Sequence, residues 1–179
     1  MTVLTSINQL MTMPLSGVCQ GGQPLISYNY GAKKLDRVKE AFYCQFFVCV
    51  GYTLIFWSVM MMFPGFFAGI FTSDAALVEY TAWAIKVFLA LGFSVGFQIS
   101  CQQAFMALGQ AKISLLMALL RKVFLLIPMI FLLPNFFADK AFAVFLAEPV
   151  SDIIAAAVTT FMFFRFFIRM LKDGKAAQQ

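Results

Sequence analysis

The stretch Ala41–Phe63 carries no charged residue from end to end. At a helical rise of 1.5 Å per residue, roughly 20 mostly apolar residues cross the hydrocarbon of a bilayer, and this run is long enough to do so. A water-soluble globule has few ways to hide such a segment. Four further stretches share its character, which gives spans at about 4–28, 41–63, 77–108, 113–133 and 141–168, followed by a polar tail at 169–179. The expected fold is therefore all-α, a polytopic membrane helix bundle of about five transmembrane helices.

The rest of the composition agrees. Charged residues make up 12% of the 179 positions, against about 25% in soluble domains. The 23 phenylalanines include runs within 63–71 and 161–167, which would drive aggregation if exposed to water but are tolerated by lipid. The net charge of +5 does not point to nucleic acid, because the basic residues cluster at the ends of apolar stretches instead of forming one face. With Lys33, Lys34, Arg37 and Lys39 in the first loop, Lys112 in the third, and Arg169, Lys172 and Lys175 in the tail, the positive-inside rule places those loops and the C-terminus in the cytoplasm of a multi-pass plasma-membrane protein. Met1 then lies outside, as expected of a chain lacking its front half. No Lys or Arg precedes Lys33, so the first segment is not a secretory signal.

The spans differ in character. The first is the most polar: Asn8, Gln9, Gln20 and Gln23 interrupt it, and Pro14 and Pro24 should kink it. It is expected to face protein or a cavity instead of lipid. Pro64-Gly65 should end the second span, with 66–71 an aromatic patch at the interface and Thr72-Ser73-Asp74 a cap for the next helix. The sequence has no His, and Cys19, Cys44, Cys49 and Cys101 lie in apolar segments without CxxC spacing. Neither a metal site nor a disulfide framework is expected, and no cofactor. With no nucleophile motif and no phosphate-cradling loop, neither an enzyme nor an ATP-driven machine is expected.

The segment from Gly17 to Lys34, which contains Gly21-x-x-Pro24 and Tyr28-Asn29-Tyr30-Gly31-Ala32, resembles a stretch of the multidrug and toxin extrusion (MATE) family, where a membrane helix runs into a short basic loop. Gln102 to Lys112 is similar to that family's turn between its tenth and eleventh helices. Arg121 with Leu126-Ile127-Pro128 and Leu133-Pro134 resembles its eleventh helix, and Glu148-Pro149-Val150-Ser151-Asp152-Ile153 its last. The resemblance implies helices eight to twelve of a twelve-helix, two-lobed transporter, hence an incomplete half, closest to the bacterial multidrug exporters. The implied activity is proton- or sodium-coupled antiport of drugs and organic cations, with the N-terminal lobe, in the same or a separate chain, as partner. A flippase-like transporter of the same architecture and a non-transporting membrane fragment of a truncated gene are the alternatives.

Ionisable residues at membrane depth are functional candidates. Counted along straight helices, Lys86 and Glu148 lie roughly 9 and 10 Å from the outer ends of their spans and could pair. Asp152 lies roughly 16 Å in and Arg121 roughly 12 Å from the cytoplasmic side, again compatible depths. Asp152 or Glu148 is then either a proton-coupling group or, with Arg121, part of an ion pair holding helices in register. Lys86 and Lys122 are expected to snorkel. Gln20, Gln23, Gln98 and Gln102 either line a cavity or bond between helices. The pairs Gly17/Gly21 and Gly92/Gly96 fit small-xxx-small helix packing, and the eleven methionines read as apolar filler.

Overall fold

The computed structural model describes residues 2–71, 74–136 and 140–176, and the secondary structure among them is helical. The helices are α1 (Thr2–Gly31), α2 (Leu35–Met62), α3 (Pro64–Phe71), α4 (Ala75–Phe88), α5 (Val95–Ala107), α6 (Ala111–Leu119), α7 (Ile127–Phe136) and α8 (Lys140–Ala176). A 3-10 turn at Gly92–Ser94 joins α4 to α5, and a π-helical segment at Leu120–Leu126 joins α6 to α7. Leu35–Met62, Ala111–Leu133 and Phe142–Lys172 are each long and apolar enough to cross a membrane. The pair Ala76–Phe88 and Gly92–Ala107 qualifies as a fourth span only if its 48° bend is bridged. Helix α1 is also long enough, but its amides and hydroxyls set it apart from the others.

The bend divides what the sequence suggests is one span at 77–108. It is built from a glycine and a borrowed hydrogen bond. Gly92 is buried, and a Cβ there would lie 3.3 Å from the Trp57 ring. The Trp57 indole N–H donates to the Leu89 carbonyl at 2.8 Å, while Ser94 Oγ closes onto Leu91 O at 2.8 Å. Carbonyls released by the broken helix are thereby satisfied inside the protein, as a membrane requires.

Prolines act in two ways. Pro64 opens the short helix α3, where its missing N–H is harmless; Phe66 and Ile70 of that helix are exposed and Ala68 is buried. Pro14 and Pro24 sit inside α1, which continues through both. Because Pro14 has no N–H, the carbonyl of Leu10 loses its helical partner; the Tyr52 hydroxyl on α2 donates to it instead, at 3.2 Å. At α4 the expected cap is present: the Asp74 carboxylate accepts from Ala76 N at 3.0 Å, whereas Thr72 and Ser73 lie outside the described residues. The stretch read as a polar tail is helical through Ala176, as part of α8.

Packing forms two layers. Toward the start of α1, Leu4, Ile7, Met11, Leu15 and Cys19 recur at helical spacing and bury against Cys49 and Met60 of α2 and Ile85 and Phe88 of α4. Toward the other end, Val38, Phe42 and Phe46 of α2 meet Phe105 of α5 and Phe163 and Phe167 of α8. The Phe42 ring lies 4.6 Å from Phe163 and 5.0 Å from Phe167 between centroids, and Phe105 stands edge-on to Phe163 at 5.0 Å. The glycine pairs part company. Gly96 lets α2 and α5 touch, since a Cβ there would meet Cys49 O at 3.0 Å, but nothing lies within 4 Å of Gly17 or Gly21. Packing, expected at both pairs, holds only for Gly92/Gly96; in α1 the close approach is made by Gly22, against the Gln45 side chain.

Candidate functional site

Helix α8 presents Glu148 and Asp152 one turn apart on a shared face. Opposite them stand Arg121 and Lys122, consecutive residues of the π-helical segment. That segment lies directly before Pro128, whose missing N–H and ring clash deprive and crowd the Phe124 carbonyl; the wider π turn relieves the crowding. It also turns the two basic side chains toward α8. Arg121 grips Asp152 through two parallel bonds, Nε to Oδ1 at 2.6 Å and a terminal nitrogen to Oδ2 at 2.8 Å. Lys122 Nζ reaches Glu148 Oε1 at 3.3 Å.

The two pairs are unequal. Side-chain exposure is 16% for Arg121 and 10% for Asp152, against 55% for Lys122 and 21% for Glu148. A sheltered, two-bonded guanidinium–carboxylate pair fixes geometry in a way that a single bond from a mobile ammonium does not. The Arg121–Asp152 partnership matches the depth count. The Lys86–Glu148 pairing that the depth count allows is not made: Glu148 is taken by Lys122, and Lys86 is exposed on α4. Lys122 consequently does not snorkel away from the bundle.

The four glutamines occupy different settings. Gln98 is fully buried, and neither atom of its amide has a partner among the described residues. Gln102 stitches α5 to α6: its Nε2 donates to Ser114 O at 3.4 Å, and Ser114 Oγ donates to Gln102 O at 3.2 Å. On α1, Gln20 is exposed and Gln23 half-buried. Of the motif residues, Gly21 and Pro24 lie on the exposed side of α1, Asn29 Nδ2 donates to Leu25 O at 2.8 Å, Gly31 ends the helix, Ala32 enters the turn, and Pro149 is buried within α8. Between the α4–α5 bend and α8 runs an apolar groove of about 410 Å³, reached by Phe97, Ile153 and Thr160.

Two contacts escape sequence reading. Tyr52 to Leu10 could have been sought, because Pro14 announces a carbonyl in need of a donor. The thiols of Cys19 and Cys49, which meet at 3.7 Å in the interior, had no such signal, since nothing along the chain ties their helical faces together.

This arrangement, long apolar helices crossed by an internal ion-pair ladder and interrupted by prolines, is that of a polytopic membrane protein. The family model MatE matches residues 1–132, and the chain belongs to that family. It is 27% identical over 129 residues to the multidrug export protein MepA of Staphylococcus aureus strain NCTC 8325 / PS 47, a match covering 72% of this chain and 28% of MepA. Among solved structures, the MATE multidrug transporter DinF-BH superposes with a TM-score of 0.80 at 29% identity, over 89% of this chain and 35% of that one. A MATE protein in a bent conformation superposes at 0.89 with 14% identity, over 97% and 38%, a likeness of fold alone. The chain thus spans about a third of the length of these relatives.

Proposed function

We propose that this chain forms the C-terminal part of a proton- or sodium-coupled antiporter that moves drugs and organic cations out of the cell, working together with an N-terminal lobe supplied by the same or a separate chain. The observation that carries the two-lobe reading is the exposed side of α1. Pro14, Gly17, Gln20, Gly21 and Pro24 lie there among the exposed apolar side chains of Leu10, Met13, Val18 and Leu25, while the opposite side is packed against α2 and α5. Two prolines, two glycines and an amide interleaved with apolar side chains give a surface on which a second helix bundle can pack closely. The matches to MepA and DinF-BH support the cargo class. The distribution of basic residues supports a plasma-membrane location with the α1–α2 and α5–α6 loops and the C-terminus in the cytoplasm.

In this reading the Arg121–Asp152 pair is the coupling element. A carboxylate that exchanges its guanidinium partner for a proton or a sodium ion would release α8 from the π-helical segment, a local change able to bias two arrangements of the lobe. Accumulation of a fluorescent organic cation in cells making this chain together with a family N-terminal lobe tests it. Lower accumulation than in cells making either part alone is expected, with Asp152→Asn removing most of the difference. Equal export by wild type and Asp152→Asn would rule out the coupling role, and no export in any pairing would rule out transport.

A further inference from the structure

At the opposite end of α1 from its first residue, the chain turns back into α2 through Ala32, Lys33 and Lys34. The turn is rigid. Lys33 N donates to Tyr30 O at 3.0 Å and Lys34 N to Asn29 O at 2.9 Å, with Lys33 in the left-handed region at φ 57°, the pattern that closes a helix with crossed terminal bonds. Between the last turn of α1 and the first turns of α2 this leaves an open cleft of about 500 Å³.

Its wall changes character along its length. Tyr28, Asn29, Lys34 and Arg37 stand nearer the turn, while Leu25 and Cys44, both exposed, line the end farther along the two helices. From Lys34 to Cys44 the helix rises about 15 Å, from the level of headgroups into hydrocarbon. Lys34 and Arg37 form no ion pair among the described residues, although Glu40 also borders the cleft. Lys34 occupies the N-cap of α2 and supplies no side-chain acceptor there, while Asp36 lies in the first turn; the cleft itself is bordered by two basic groups against the one carboxylate of Glu40.

We propose that this cleft binds an anionic phospholipid, with its phosphate held by Lys34 and Arg37 and one acyl chain laid along Leu25 and Cys44. Charge alone would serve a soluble phosphate equally well. The depth gradient selects an amphiphile, because an apolar end continuous with the membrane face of α2 has nothing to offer a phosphate monoester. The inference is independent of transport and needs only that α2 crosses a bilayer.

Native mass spectrometry of the full chain in detergent tests it, using equimolar phosphatidylglycerol and phosphatidylcholine with identical acyl chains. Phosphatidylglycerol adducts should exceed phosphatidylcholine adducts by at least about fivefold, the effect expected of basic residues at a lipid surface. The double variant Lys34→Gln/Arg37→Gln should abolish that preference while keeping its helicity by circular dichroism. Arg169→Gln/Lys172→Gln, which removes the same charge from α8, should keep it. Cys44→Trp, which fills the apolar end without altering charge, should reduce lipid adducts of both kinds. A wild type without preference, or equal loss in the α8 variant, would overturn the site. Displacement of the lipid by equimolar glycerol 1-phosphate would overturn the assignment to a lipid.

Discussion

Helices α2 and α8 and the segment Ala111–Leu133 are each long and apolar enough to cross a membrane, yet they are held by different forces. In Leu35–Met62 and Phe142–Lys172, 28% of the most apolar window is buried within the chain, compared with 6% in Ala111–Leu133. The first two meet through an aromatic cluster centred on Phe42 and Phe163, where many weak dispersion contacts add up. The outer segment buries less of itself, although α7 and the π-helical segment lie along α8. Its polar links to the rest are the hydrogen bonds of Ser114 with Gln102 and two ion pairs to α8. Interior packing resists small displacements in every direction. An ion pair has discrete states, made or broken, and can exchange one partner for another. A segment tied by the second kind of contact to a base built from the first suits the conformational cycle proposed above.

This contrast can be broken at several points, each read as stability in a detergent unfolding titration. The largest effect is expected from Phe42→Ala, which opens a cavity at the centre of the base and should cost up to about 5 kcal/mol. A loss below about 1 kcal/mol would mean that the aromatic cluster is not where the base is held. Asp152→Asn should follow at about 3 kcal/mol, because it leaves Arg121 sheltered without a counter-charge. Replacing both by Arg121→Met/Asp152→Leu should recover most of that loss, and failure to recover would show that the pair matters through something besides its charges. Gln98→Met is expected to act in the opposite direction, raising stability by about 1 kcal/mol as an unpartnered buried amide gives way to an apolar side chain of similar size. Destabilisation would instead reveal that the amide has a partner in the membrane. The smallest difference is at the turns leading into the two regions. Gly109 has φ 75° with open space around its Cβ position, so Gly109→Ala should cost about 1 kcal/mol from backbone strain alone. Lys33→Gly, at the corresponding position before α2, should relieve the strain of φ 57° while giving up the side chain's own interaction, so a smaller net change is expected.

The sequence makes the base legible and the outer segment obscure, for a physical reason. Long apolar runs mark spans whatever surrounds them, so α2 and α8 can be found from hydropathy, and the Arg121–Asp152 pairing follows from depth. Counting depth assumes that each span is a straight α-helix. Helix α4 turns away from α5 by 48°, which removes Lys86 from the count. A π-helical segment at Leu120–Leu126 changes the register of Lys122, which is how Glu148 acquires an unexpected partner. Pro128 hinted at an irregularity there but not at its kind. Small residues mislead similarly: Gly17/Gly21 and Gly92/Gly96 share one spacing, and only the second pair meets a neighbour within this chain.

The hydrogen bond from Tyr52 to the Leu10 carbonyl has a mechanical meaning. At that level α1 has already surrendered one of its own backbone links to Pro14, so flexing the helix there need not break a bond within α1. The missing link is replaced from outside, by a single phenol on α2, beside the packing of Ile7, Met11 and Leu15. Helix α1 thus has a weak point at Pro14 that a side chain on its neighbour braces.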